Sequence, residues 1–277
     1  MTADSAAAPQ PAIFIPHGGG PCFFMDWTWG PADTWHATQR FLESIALTLP
    51  QPPRAILVVS GHWEESAFTA GAAPSPRLIF DYSGFPVHTY KLTWPAPGDP
   101  ALAARVAGLL SKAGLPSAIS PDRGYDHGVF VPLKVAFPLA DIPVVTLSLA
   151  APANGSFDPA MHIAAGRALA PLRDEGVLIV GSGMSFHNLR AYFRPETAEA
   201  ARAFDDWLTH AVESAGPDRD ALLAGWQDAP YARFSHPREE HLAPLFVAAG
   251  AGGDAPGKRI FNDEPMGAAI SAYRFDG

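Results

Sequence analysis

Three strongly apolar runs each lead into a glycine-containing turn that carries a histidine. Ala12-Ile13-Phe14-Ile15 passes through Pro16 to His17-Gly18-Gly19-Gly20, and Ala55-Ile56-Leu57-Val58-Val59-Ser60 passes through Gly61 to His62-Trp63. Val177-Leu178-Ile179-Val180 passes through Gly181-Ser182-Gly183 towards His187. Runs of aliphatic and β-branched residues without polar alternation suit strands buried on both faces, as in a largely parallel sheet covered by helices. In open sheets of that kind, ligands bind beyond the carboxyl ends of the strands. A histidine at each of three such ends therefore predicts one shared site.

Between these runs the apolar spacing becomes helical. Thr34–Leu47 carries Trp35, Phe41, Leu42 and Ile45 on one stripe and is stopped by Pro50, Pro52 and Pro53. Pro100–Ala113 reads as a helix capped by Asp99, Val131–Phe137 as a short helix, and Ile142–Leu149 as a buried strand. Pro159–Arg173, Glu196–Ser214 and Pro237–Ala249 read as helices, and Ala268–Phe275 as a closing strand. Strands interleaved with helices predict an α/β fold: a single domain over residues 12–277, with a central mixed or mainly parallel sheet flanked by helices. Met1–Pro11 is rich in alanine and lacks the basic start and apolar centre of a secretory signal, so it reads as a disordered tail.

A net charge of −9 argues against nucleic acid as a partner, since phosphate neutralisation needs a basic stripe. No apolar run approaches the roughly 18 residues that span a bilayer, so no membrane partner is expected. Cys22 is the only cysteine, which rules out an internal disulfide and a cysteine-type zinc cluster and fits a reducing cytoplasm.

Three more histidines stand at loop–helix boundaries. His127 lies in Asp126-His127-Gly128 ahead of a helix, with Asp126 expected as its N-cap, while His236-Pro237 and Glu240-His241 compete for one role. His236 fits a cap neighbour before a proline at the first helical position, whereas His241, one turn in, directs its side chain back towards the helix start. His241 is preferred. His36, His88, His162 and His210 read as solvated or core residues. Imidazoles gathered in this way suggest a metal site. No nucleophile elbow, P-loop or dinucleotide fingerprint stands in a suitable setting. The triglycine could cradle an anion, but no basic residue is close to it in sequence.

Taken in order, Phe14 to Gly18, Ser60-Gly61-His62-Trp63, Asp81 to Pro86, Pro95-Ala96-Pro97-Gly98, Asp126-His127-Gly128, Asp141 to Val144, Gly181 to Asn188 and Pro237 to His241 make the chain after its tail resemble the class III extradiol ring-cleavage dioxygenases. The likeness is to their DOPA 4,5-dioxygenase-like branch. It implies metal ligation by His17, His62 and His241, with His187 as a further ligand or as the acid/base. It also implies that His127 touches the substrate and that Asp81, Tyr82 and Phe85 shape an aromatic pocket. Fe(II) is the expected active metal. Zn(II) can fill the same nitrogen site in purified protein, because it binds such sites more tightly.

The expected reactants are a small-molecule catechol and O2. Glu240 stays an alternative third ligand, because the wider superfamily uses two histidines and a carboxylate. Gly19-Gly20 departs from the Ser-Pro or Thr-Pro of many relatives at the substrate mouth. A zinc-dependent hydrolase and a non-catalytic metal-binding relative are the competing readings, and the motifs leave the preferred catechol and the oligomeric state open.

Overall fold

A computed structural model describes residues 8–151 and 157–277. Its strands are β1 (Ala12–Pro16), β2 (Ala55–Glu65), β3 (Phe68–Gly71), β4 (Ser117–Ser120), β5 (Val144–Ala150), β6 (Val177–Gly183), β7 (Lys258–Asp263) and β8 (Ile270–Phe275). They form one mixed sheet in the order β4-β3-β5-β2-β6-β1-β8-β7. The central strands β5, β2, β6 and β1 run parallel, and antiparallel pairing enters at β3–β5, β1–β8 and β7–β8.

The central strands are buried except at the His62–Glu65 end of β2, because each face of the sheet has its own helical cover and successive side chains alternate between the two. Phe14, Leu57, Val59, Leu147 and Ile179 enter one core with helices Pro100–Lys112, Pro159–Leu169, Thr197–Glu213 and Ala243–Ala251. Ile13, Ile15, Ile56, Val58, Leu178 and Val180 enter the other, against helices His36–Thr48 and His127–Ala136. Every residue of Ala243–Ala251 is buried, as expected of a helix apolar on all sides. No helix of the described residues is long and apolar enough to cross a membrane.

Asp99 caps its helix as expected, its Oδ1 accepting from Leu102 N at 2.9 Å. Other boundaries move. The helix expected from Val131 already begins at His127, and Pro159–Arg173 divides at Ala170, where Pro171 opens a new turn. The helix expected from Pro237 begins only at Ala243, leaving residues 236–242 as a turn. Residues 1–7 of the expected tail lie outside the described set. Gln10 and Pro11 are buried, with Gln10 N donating to Arg173 O at 3.1 Å and Gln10 Nε2 to Gln51 O at 3.0 Å. Ordered chain therefore starts before Ala12.

Candidate metal centre

Strand register brings the histidine-bearing ends together. Pro16 of β1 pairs with Gly183 of β6, and Ser60 of β2 pairs with Ser182 of β6. His17 N continues the ladder by donating to Gly183 O at 3.1 Å. β2 does not stop before His62 but runs on to Glu65, and its register with β5 shifts between Val59 and Glu64. His62 thus sits in an irregular stretch within the strand, where a bulge re-aims side chains.

His241 arrives from the turn preceding helix Ala243–Ala251, laid across the strand ends, with Met184 N donating to His241 O at 3.0 Å. Glycine makes this crossing possible. A Cβ at Gly183 would lie 2.1 Å from His241 O, and one at Gly61 would lie 3.0 Å from Glu240 O.

His17, His62 and His241 offer ring nitrogens within 4.8 Å of one another. Each Nδ1 already faces an oxygen: His17 Nδ1–H donates to Gly18 O at 2.9 Å, His241 Nδ1–H to Glu240 Oε1 at 2.9 Å, and His62 Nδ1 faces Asp81 Oδ2 at 3.5 Å. A neutral imidazole that donates from Nδ1 keeps a lone pair on Nε2. His62 Nε2 and His241 Nε2 stand 3.1 Å apart, and His17 Nε2 is buried with no hydrogen-bond partner.

Burial, followed by the charges of neighbouring imidazoles, holds His17 and His241 well below the usual histidine range. Burial and then His127 bring His62 down to about 3, against the opposing pull of Asp81. The imidazoles are therefore in their ligand form. Converging lone pairs, one of them buried and orphaned, fit a divalent cation that accepts nitrogen donors.

His62–Asp81–His127 and His187–Glu240–His241 also place possible ligand atoms within 4.8 Å. Asp81 Oδ1 and Glu240 Oε1 are already engaged by imidazole and backbone N–H groups, whereas Glu240 Oε2 is buried without a partner. Asp81 Oδ1 accepts from His127 Nδ1 at 2.8 Å and from His127 N at 2.9 Å, so it fixes the ring and caps the helix at once. Burial raises the Asp81 carboxyl, but the hydrogen bonds and charge of His127, with the charge of His62, together outweigh this and leave it below the usual range.

Asp126, the expected cap, makes no capping bond; it accepts from Ser60 Oγ at 2.7 Å and Arg123 Nη2 at 2.8 Å. Glu240 Oε1 stands 3.2 Å from His187 Nδ1 and orients both His187 and His241, whose rings stack with centroids 3.4 Å apart. Burial raises the Glu240 carboxyl, and the hydrogen bond from His187 leads the effects that bring it below its usual value. Neither Glu240 nor His187 joins the group that contains His17 and His62.

His236 is elsewhere. It is fully buried against Phe204 and Trp226, with Nε2–H donating to Ser185 O at 2.9 Å.

The three Nε2-presenting histidines, together with His127 and His187, open onto a cavity of about 520 Å³. Asp81, Tyr82 and Phe85 line it, and so do residues that sequence reasoning passed over: Trp27, Trp29, Trp35, Tyr192, Phe193 and Met266. The three tryptophans between Met25 and His36 were the available signal, although two of them, Trp27 and Trp35, also pack in a buried cluster with Cys22 and Phe186. Gly18 and Gly20 turn the chain at the cavity with φ of 84° and 57°. A Cβ at Gly20 would lie 2.7 Å from Phe85 Cζ.

A family profile described as the catalytic LigB subunit of aromatic ring-opening dioxygenase matches residues 11–275. A dioxygenase named tasH from Hapsidospora irregularis is 38% identical, with 96% of this chain and 86% of that protein covered. The 4,5-DOPA dioxygenase extradiol of Beta vulgaris is 37% identical over 86% of this chain and 89% of its own length. The Escherichia coli (strain K12) protein of the same name is 35% identical over 87% and 85%. The crystal structure of an uncharacterized protein from Escherichia coli K12 superposes with a TM-score of 0.76 at 30% identity, covering 96% of this chain and 99% of that one.

Proposed function

This chain belongs to the LigB family of aromatic ring-opening dioxygenases, and from that premise we propose that it opens a catechol ring extradiol with O2 at an Fe(II) ion held by Nε2 of His17, His62 and His241. The observation that carries the ligand assignment is the convergence of three Nε2 atoms, from buried His17 and His241 and half-buried His62, while each Nδ1 faces an oxygen. Bound there, Fe(II) would supply the electron exchange with O2 that no side chain offers and would favour ionisation of the catechol hydroxyls.

The chain's own groups do the rest. Glu240 Oε1 faces Nδ1 of His187, so the imidazole presents Nε2 as a base for the second catechol proton and as the donor that returns it. His127, locked through Nδ1 by Asp81, keeps Nε2 to hydrogen-bond a substrate oxygen. Tyr82 and Phe85 flank the ring, and the surrounding indoles keep water from the reacting groups.

Catechol and O2 are the small-molecule reactants of this account. Nucleic acid and membrane have no part in it. Buried Cys22, whose thiol burial pushes up, suits the reducing cytoplasm where we place the protein.

The test is oxygen uptake by chelated protein reloaded under argon with Fe(II) or Zn(II) and then mixed with aerated catechols. Uptake with iron alone is expected, since zinc has no accessible redox change. Equal uptake with zinc would refute the proposal, as would zinc-dependent ester hydrolysis with no uptake in either form.

A further inference from the structure

We propose that this cavity selects catechols whose ring substituent is bulky, apolar and uncharged, and turns away those whose substituent ends in a carboxylate. The proposal rests on the ring-opening reading above, because the catechol oxygens must face the three Nε2 atoms. The substituent is then left to the remaining walls.

Those walls contain no lysine or arginine. The residues outside the described set, 1–7 and 152–156, contain none either. Arg40 lines a separate surface depression that shares Phe193 and Met266 with the cavity. Asp81 is the only carboxylate among the lining residues and would repel a second one.

What the walls do offer is aromatic and aliphatic surface. Trp29, Leu189 and Phe193 line the cavity while remaining 50%, 72% and 66% exposed, so they form an apolar mouth. Exposed apolar surface gathered in one place commonly marks a binding site. Trp27 and Trp35, both largely buried, add apolar indole surface and no charge to the walls. The cavity of about 520 Å³ is within the range that takes drug-sized ligands, more room than a bare catechol needs.

With the catechol oxygens turned to the metal, a carboxylate at the far end of the substituent would leave water with no lysine or arginine among the lining residues to meet it, whereas an isosteric alkyl group would bury apolar surface. 4-Propylcatechol and dihydrocaffeate differ only by methyl against carboxylate at the end of the substituent, so they isolate this effect. Binding is read under argon on the zinc-loaded protein by quenching of tryptophan fluorescence, which the indoles of the cavity report without turnover. 4-Propylcatechol should bind roughly 100-fold more tightly. Leu189→Arg, at an exposed position of the mouth, should narrow that ratio roughly tenfold by improving dihydrocaffeate.

Equal or tighter binding of dihydrocaffeate, or no binding of either compound, overturns the proposal. A ratio that Leu189→Arg leaves unchanged overturns it as well. If the preference holds but the iron-loaded protein takes up no oxygen with either compound, the ring-opening reading fails and the selectivity stands.

Discussion

Replacing His236 by alanine should destabilise the protein and leave its metal in place. The ring is fully buried, 5.4 Å from the Phe204 ring and 5.9 Å from the Trp226 ring between centroids, and it donates to Ser185 O. Truncating a buried ring of this size leaves a cavity costing about 2–4 kcal/mol, and stranding the Ser185 carbonyl adds about 1 kcal/mol. His236 Nδ1 is itself unpartnered. Its removal offsets part of that loss, so about 3 kcal/mol is the net expectation. For a domain of this size that lowers Tm by roughly 6–12 °C.

Metal content of refolded, gel-filtered protein, measured beside a thermal melt, reads both quantities. His236→Ala should hold the wild-type metal ratio at a reduced Tm, whereas His241→Ala should lose most of its metal. Loss of metal from folded His236→Ala, with retention by His241→Ala, would refute the assignment and the geometry behind it.

His187→Ala should keep its metal and lower kcat by roughly 10²- to 10⁴-fold, the range for a positioned proton carrier; a wild-type rate at full metal occupancy would remove its acid/base role. Gly183→Ala should lose metal or fail to fold, because its Cβ would lie 2.1 Å from the carbonyl of His241, and normal metal content with a normal melt would contradict this. His162 stands in the core with its folded pKa lowered from 6.5 to about 4, chiefly by burial. The unfolded chain therefore binds the extra proton between those values, and stability is retained above about 6.5 and lost as pH falls towards 4. Between pH 7 and pH 5 this one group should cost about 2 kcal/mol. Urea titrations at the two pH values should show His162→Gln losing less stability than wild type by about that amount, and an identical pH dependence would count against the burial argument.

The sheet and the histidine centre were legible because they depend on patterns that run along the chain. Buried parallel strands read as apolar runs, and a histidine just past such a run is placed by topology before any side-chain packing is known. Short strands escaped notice. β4 has only four residues, with exposed or half-buried positions, and β3 and β7 lie towards the sheet margins, where apolar continuity is weak.

The cap at His127 was misread for a different reason. Asp126 stands at the right sequence position, but its carboxylate is drawn to Arg123 and Ser60, and the capping oxygen comes from Asp81 on a distant loop. Tyr192, Phe193 and Met266 reach the cavity through loop geometry with no sequence period. Met266 and Phe193 even adopt positive φ, 54° and 67°. Conformations so uncommon for these residue types are set by tertiary contacts rather than by local preference.

The central claim is that a metal is bound by three imidazole Nε2 atoms while the nearby carboxylates act only through hydrogen bonds. Anomalous scattering from crystals grown with Fe(II) under argon tests it most directly. The account predicts one iron peak about 2.1 Å from Nε2 of His17, His62 and His241, with Glu240 and Asp81 still hydrogen-bonded to their histidines. A peak bonded to Glu240, or one shared by His62, Asp81 and His127, would contradict it.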